Sequence, residues 1–304
     1  MDSERKGDLK RGVNFYWYYL AIPIFIAFFL INYYSQSIRV EALNIGLMIS
    51  VVSFLFGFLV TINFTMLLNK LSALKTCLAA EAGRLTSLFL LSEHLGERFH
   101  KEITERIDSY TMKTLSHYGN YDVGREEIYE MHKSLKFMEV KTDYQKELSA
   151  SFLYNLGEMQ PVREQLEYLT SRKVELPIKI STSILGGLMI ILLFLQRGDS
   201  FTNTLFIILS TVIIFILLII EDYDDLRIGD YSYNISNSEE IFDLMGRERY
   251  YPSHLLNRVK LEEGRKYRIG FFGLKTKEEK VFLITSTPEF KSKINILGSK
   301  FKIN

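Results

Sequence analysis

The sequence predicts an all-α membrane protein: four transmembrane helices extended by a cytoplasmic helical bundle, with a small C-terminal tail holding a candidate β-hairpin. Three observations predict it. Four apolar stretches are nearly free of charge, while the segments between and after them are dense in Lys, Arg, Asp and Glu. The short loops after the first and third stretches hold one basic residue each, whereas the other flanks are rich in Lys and Arg. Between the second and third stretches, leucines recur at the helical spacings of three, four and seven.

The first stretch is Trp17–Tyr33, with Tyr16, Tyr18 and Tyr19 at one end and Tyr34 at the other, the aromatic belts of two membrane interfaces. A cleaved signal peptide fits it less well than an anchor. The run is long, and Tyr33, Tyr34 and Gln36 do not make a small-residue cleavage site. The second stretch, Ala42–Asn69, has no charged residue. A span needs about 20 apolar residues, so this helix is expected to tilt or to continue beyond the bilayer. The third is Ile178–Leu195, with Lys179 at its edge where it can snorkel and Pro177 at its entry. The fourth is Phe201–Ile220.

Orientation follows from the basic residues. Arg5, Lys6, Lys10 and Arg11 precede the first span, while the next loop holds only Arg39 and the loop Gln196–Ser200 only Arg197. Both termini and the region between spans two and three are therefore expected in the cytoplasm. The expected division is 1–69 for the N-terminal flank and spans one and two, 70–176 for the cytoplasmic helical region, 177–222 for spans three and four, and 223–304 for the cytoplasmic tail.

Within 70–176, Leu71, Leu74, Leu78, Leu85, Leu88 and Leu91 mark an amphipathic helix that Gly96 is expected to end. Glu97–Tyr118 reads as a second helix, with Phe99, Ile103, Ile107, Tyr110 and Leu115 on one side, and Gly119-Asn120 as a break. A third element runs from Arg125 to Thr170, irregular at Met138–Asp143, with Pro161 as a candidate kink. In the tail, Tyr231–Ile235 reads as a strand. Ser236 and Ser238 are candidate N-caps of a helix over Glu239–Met245, and Lys266–Phe272 with Lys280–Thr285 reads as a hairpin. The last fifteen residues carry four lysines, which suit disorder or contact with anionic headgroups.

Enzyme chemistry finds no support. There is no Gly-rich phosphate loop, GxSxG, HExxH or CxxC. His94, His100, His117, His132 and His254 share no ligand spacing, and Cys77, the single cysteine, reads as a small packed residue. A net charge of +1 gives no field pointing to nucleic acid.

Two features carry functional content. In the second span, Ser50, Phe54, Gly57 or Phe58, Thr61 and Thr65 fall at spacings of three and four. Such a stripe can line a pore, where apolar rings gate by dewetting. The alternative is an ordinary packed helix whose hydroxyls bond back to the carbonyl four residues earlier. After the fourth span, Glu221, Asp222, Asp224 and Asp225 crowd a helix C-terminus, against the macrodipole. Salt bridges to basic residues are the favoured compensation. Ca²⁺ is the alternative, although the spacing is not an EF-hand.

At these residues the chain resembles the bestrophin superfamily, specifically its bestrophin-like branch. Ser53-Phe54-Leu55-Phe56-Gly57-Phe58-Leu59-Val60-Thr61 resembles the second-helix pattern S-F-x-x-G-F-x-V-T, and Glu175-Leu176-Pro177 has a counterpart before the third span. The acidic run sits where animal bestrophins carry a calcium-binding cluster. Asp224 to Tyr231, with Glu240 and Phe242, is typical of the branch. The resemblance covers about residues 15–252. It implies a homopentameric channel for small ions in a bacterial plasma (inner) membrane, with five second spans around the pore and Ser50, Phe54 and Phe58 at the neck. Anions are favoured and cations are the alternative, because some bacterial relatives pass cations. The sequence departs from the family in three places. Ser50 replaces an apolar neck residue, Met66-Leu67-Leu68 replaces Arg-Trp-Trp, and Tyr223 interrupts a shorter acidic run. The competing reading is a membrane-anchored signalling or scaffold protein whose cytoplasmic helices bind a partner without conduction. An intramembrane enzyme fits worst, since the spans hold no paired carboxylates, His or Ser–Lys set.

Overall fold

The structure is a computed structural model and describes residues 16–35, 45–117, 123–224, 231–259, 261–272 and 279–286. The described elements form two compact units. One takes the described residues of Gly12–Ser72 and Arg172–Gly229, the other those of Ala73–Ser171 and Asp230–Asn304.

The apolar unit contains α1 (Tyr16–Tyr34), the first part of α2 (Ile45–Ser92), α6 (Leu176–Leu195) and α7 (Ser200–Asp224). Among the described residues, three helical runs are long and apolar enough to cross a membrane by length and composition: Ile45–Ser92, Asp143–Leu195, whose C-terminal part is α6, and Ser200–Asp224. α1 is 19 residues long, and its part Leu20–Tyr34 is also apolar. The core of the unit joins Val52 and Phe56 of α2, Met189, Leu192 and Leu193 of α6, and Phe206, Ile207 and Ile213 of α7. Phe28 of α1 sets its ring edge-on against Phe206, centroids 5.6 Å apart. At Gly186 a Cβ would lie 3.2 Å from Ile213, Leu217 and Phe56 alike. Small residues of this kind let membrane helices approach closely. Pro177 opens α6, where its missing N–H has no helical partner to lose.

In the polar unit, the second part of α2 packs with α3 (Glu97–Ser116), α4 (Arg125–Ser134) and α5 (Asp143–Ser171). Leu85, Leu88, Phe99, Ile103, Ile107, Met131, Phe152 and Leu156 fill its core, as the leucine and isoleucine periodicity predicts. α2 stops at Ser92, four residues short of Gly96. That glycine, at φ 113°, is instead the N-cap of α3, and a turn in between reverses the chain. The irregularity expected near Met138 is real: α4 leads into a 3₁₀ turn at Leu135–Phe137, and α5 begins at Asp143 and runs through Pro161. The break expected at Gly119-Asn120 lies outside the described residues.

The tail corrects one expectation. Tyr231–Ile235 is not a strand but the start of α8 (Tyr231–Leu244). Ile235, Ser238, Ile241 and Phe242 are all buried, a helical period that outweighs the β-leaning composition of the first turn. Three strands follow: β1 (Tyr250–Pro252), β2 (Lys266–Phe272) and β3 (Glu279–Thr285). β1 runs parallel to β2, and β2 pairs antiparallel with β3, Ile269 opposite Phe282. Tyr250, Tyr251, Tyr267 and Phe271 are buried in one cluster with Ile235, Phe242 and Leu115.

Candidate functional site

Among the described residues of the apolar unit, the face of α2 that bears the Ser/Phe/Thr stripe is left exposed. Phe54 is 72% and Phe58 58% exposed, and Ser50, Thr61 and Thr65 are exposed beside them. Val52, Phe56, Asn63 and Leu67 occupy the opposite face and are buried. Asn63 is nine residues beyond Phe54. At about 3.6 residues per turn that is two and a half turns, so the two side chains leave opposite sides of the helix. Only 11% of the apolar window of α2 is buried, against 28% in each of the other two long apolar runs. α2 therefore has the most uncovered apolar surface of the three.

The hydroxyls on this face are bonded back into the helix. Ser50 donates to the Gly46 carbonyl (2.9 Å), Thr61 to Gly57 (2.8 Å) and Thr65 to Thr61 (2.9 Å); Ser53 does the same to Ile49 at 2.8 Å. With their protons committed inward, the oxygens offer lone pairs outward. The exposed face thus carries acceptor oxygens at Ser50, Thr61 and Thr65, with the rings of Phe54 and Phe58 between them.

The acidic run resolves into ion pairs. The Asp224 carboxylate is fully buried. It accepts the Val174 N–H at 2.8 Å and the Lys179 ammonium at 3.1 Å, with the Lys70 ammonium 3.8 Å away. Lys70 also donates to the Asp224 carbonyl at 3.2 Å, which offsets the negative end of α7. Glu221 pairs with Lys179. Asp222 points elsewhere; it is buried, and its Oδ2 has no hydrogen-bond partner among the described residues. Asp225 lies outside the described residues. Two lysines supply the positive charge between Glu221 and Asp224. Among the described residues, no group of three or more His, Cys, Asp or Glu side chains converges as a metal site would require.

Sequence reasoning missed three residues here. Lys70 reads only as the end of an apolar run, yet it caps α7. Asn63 reads as one more polar residue in α2, yet its Nδ2 donates at 2.8 Å to the Thr182 hydroxyl of α6. Arg197, read as a loop residue, is 2% exposed; it bonds Asn32, Ser35 and the Phe194 carbonyl and stacks on the Phe194 ring. The only advance signal for Asn63 was its place opposite the stripe. Its partner is 119 residues away and carries no local mark.

The family model of the Bestrophin-like domain matches residues 19–232. The chain belongs to the Bestrophin-like family. The match runs from α1 into the first turn of α8 and leaves the β-sheet outside it. Among solved structures, a variant of a bacterial bestrophin homologue from Klebsiella pneumoniae aligns at a TM-score of 0.51 with 13% identity, over 77% of this chain and 98% of that one. The structure of the homologue from the same organism solved by zinc phasing gives the same values. A crystal structure described as a membrane protein aligns at 0.51 and 13%, over 76% of this chain and 98% of that one. At such identity the likeness shows the fold alone. No curated protein sequence matches the chain. Fold, family and apolar helices together make this Bestrophin-like chain an integral membrane protein.

Proposed function

We propose that this protein is an oligomeric ion channel, with the outward face of α2 lining a central pore shared by several copies. The observation that carries the reading is the uncovered stripe of Ser50, Phe54, Phe58, Thr61 and Thr65 on the least buried long apolar helix. An arrangement around a common axis would give those side chains a shared water-filled lumen. Rings of Phe54 and Phe58 then form a narrow apolar neck that opens and closes by wetting. Four spans with both termini in the cytoplasm, a pentamer and a bacterial inner membrane complete the reading; resemblance to bestrophins supports all three.

Anions are the favoured ion on that resemblance. The back-bonded hydroxyls favour the alternative, because outward lone pairs suit cations. Reversal potentials under a salt gradient distinguish the two. The competing scaffold reading draws on the exposed Leu153, Tyr154 and Tyr168 of α5, a surface suited to a protein partner.

The test is to purify the protein in detergent, measure its oligomeric state, and record ion flux after reconstitution for wild type and for Phe54→Ala with Phe58→Ala. A pentamer whose conductance rises when the rings are removed supports the channel. A monomer or dimer that passes no ions in either form rejects it and leaves the scaffold.

A further inference from the structure

Asp224 ends α7 with a carboxylate that no solvent reaches. Val174, whose amide it accepts, also packs with Leu67 of α2 and Ile220 of α7 in a buried apolar cluster. A negative charge out of water at the C-terminal end of a helix needs a cation held close. Two kinds can serve: an ammonium of the chain itself, or a divalent ion such as the Ca²⁺ that the resemblance to animal bestrophins implies.

The groups around Asp224 distinguish them. Oδ1 accepts the Val174 N–H at 2.8 Å and lies 3.8 Å from the Lys70 ammonium. Oδ2 accepts the Lys179 ammonium at 3.1 Å, and Lys179 also pairs with Glu221. Ca²⁺ takes about six to eight oxygen ligands at about 2.3–2.6 Å. Here both carboxylate oxygens face N–H donors instead. An ion in contact with Asp224 would stand beside two ammonium charges, where like charges repel strongly. Glu221 and Asp224 do not fit such an ion. Lys70 and Lys179 fit in its place, two positive charges against two carboxylates.

We infer that Lys70 and Lys179 are the built-in counter-cations of this junction, and that they fasten α2, α6 and α7 together at Asp224 without a divalent ion. The place on the chain gives the junction its use. The chain leaves the apolar unit after Ser72, returns to it at Arg172 and leaves it again after Gly229. Lys70, Val174 and Asp224 all belong to that unit and lie close to those three points along the chain. The junction therefore gathers three of the passages through which the chain enters and leaves the apolar unit, and it stays closed whatever the Ca²⁺ concentration.

The inference is independent of the channel reading, since its test reads stability and not ion flux. Purified wild type and Asp224→Asn are melted in detergent with millimolar Ca²⁺ and with a chelator. The two are expected to respond alike, because ions bound at other carboxylates act on both. Lys179→Met strands Asp224 and is expected to lower the melting temperature by about 5 °C or more. Lys179→Met with Asp224→Asn should recover part of that loss. Ca²⁺ that stabilises wild type more than Asp224→Asn overturns the inference, and so does a Lys179→Met variant as stable as wild type. Should Asp224→Asn not fold, Glu221→Gln, at a half-exposed position, serves as the reference in its place.

Discussion

Glu81, Tyr110 and Arg163 meet in a core otherwise built of Leu, Ile, Phe and Met. Arg163 Nη1 lies 3.0 Å from Glu81 Oε1, which also accepts the Tyr110 hydroxyl, and all three residues are buried. Burial, joined by the Glu81 charge, raises the Tyr110 phenol well above its ordinary value, so it stays a donor throughout the working pH range. Breaking such a pair strands the other charge. Arg163→Met is expected to cost about 3–5 kcal/mol, whereas Arg163→Met with Glu81→Leu should recover much of the loss; thermal melts of the two variants check this. Gly124 supports the same site, since a Cβ there would come within 2.6 Å of the Tyr110 ring. Gly124→Ala should therefore lower the melting temperature although its backbone conformation is open to alanine. In the apolar unit the corresponding polar contact is weaker: the bond from Asn63 to Thr182 is expected to contribute about 0.6 kcal/mol, and at most about 1.7. At that size it does not hold the unit together.

At the scale of elements, an aspartate of α3 supplies the ion pairs to the tail sheet, beside the Leu115 packing and the Ser116–Tyr250 hydrogen bond. Arg268 of β2 grips both oxygens of buried Asp108 at 2.7 Å, and Arg247 adds a third contact at 2.8 Å. Asp108→Ala removes the carboxylate that both arginines share and is expected to speed amide exchange across β2 and β3 while α3 and α5 stay protected. Uniform exchange in all four elements would show that the sheet is not a separable piece. Around α8 the pH response has a definite sign. Burial alone would raise the Asp243 carboxyl, but the hydrogen bond and charge of Arg249, with Arg265, outweigh it and hold the group below its ordinary value. Its folded form is thus favoured when ionised, so its stabilisation is present above about pH 4 and lost as the pH falls further. Acid should therefore loosen α8 from β1 and β2 in wild type, and Asp243→Asn should show that looseness already at neutral pH. Limited proteolysis at the two pH values measures it.

For the whole molecule, the imbalance of burial in the apolar unit is the main physical fact. Among its long helices, α2 buries only 11% of its apolar window, and its open face carries the rings of Phe54 and Phe58 beside the exposed aliphatic chains of Leu47, Val51 and Leu55. If copies of the chain share an axis along that face, single cysteines in a Cys77→Ser background should distinguish it from the packed face. Phe54→Cys is expected to form intersubunit disulfides under mild oxidation, and Val52→Cys, 8% exposed, is not. Equal cross-linking at both positions would place the shared axis elsewhere.

Much of this was legible in the chain itself. Charge segregation marks the apolar runs, because an ionised group in hydrocarbon is too costly to leave there. Spacings of three and four identify α2, α3 and the core residues Phe99, Ile103 and Ile107, because a helix buries one stripe. The stripe of Ser50, Phe54, Phe58, Thr61 and Thr65 was visible for the same reason, and the residues after Asn69 already implied that α2 continues. Tertiary structure decided what local pattern cannot carry. Tyr231–Ile235 joined a helix because Ile235 and Phe242 bury together, a gain available only once α3 and the sheet are in place. Asp224 took Lys70, Lys179 and the Val174 amide as partners, at sequence distances where composition holds no information. Asn63 found Thr182 in the same way. The sequence by itself determined the helices of both units except the start of α8, and which face of α2 and α3 is apolar, since these follow from local period and solvent. Only the tertiary structure decided which faces are covered, since that depends on side chains brought together from distant parts of the chain.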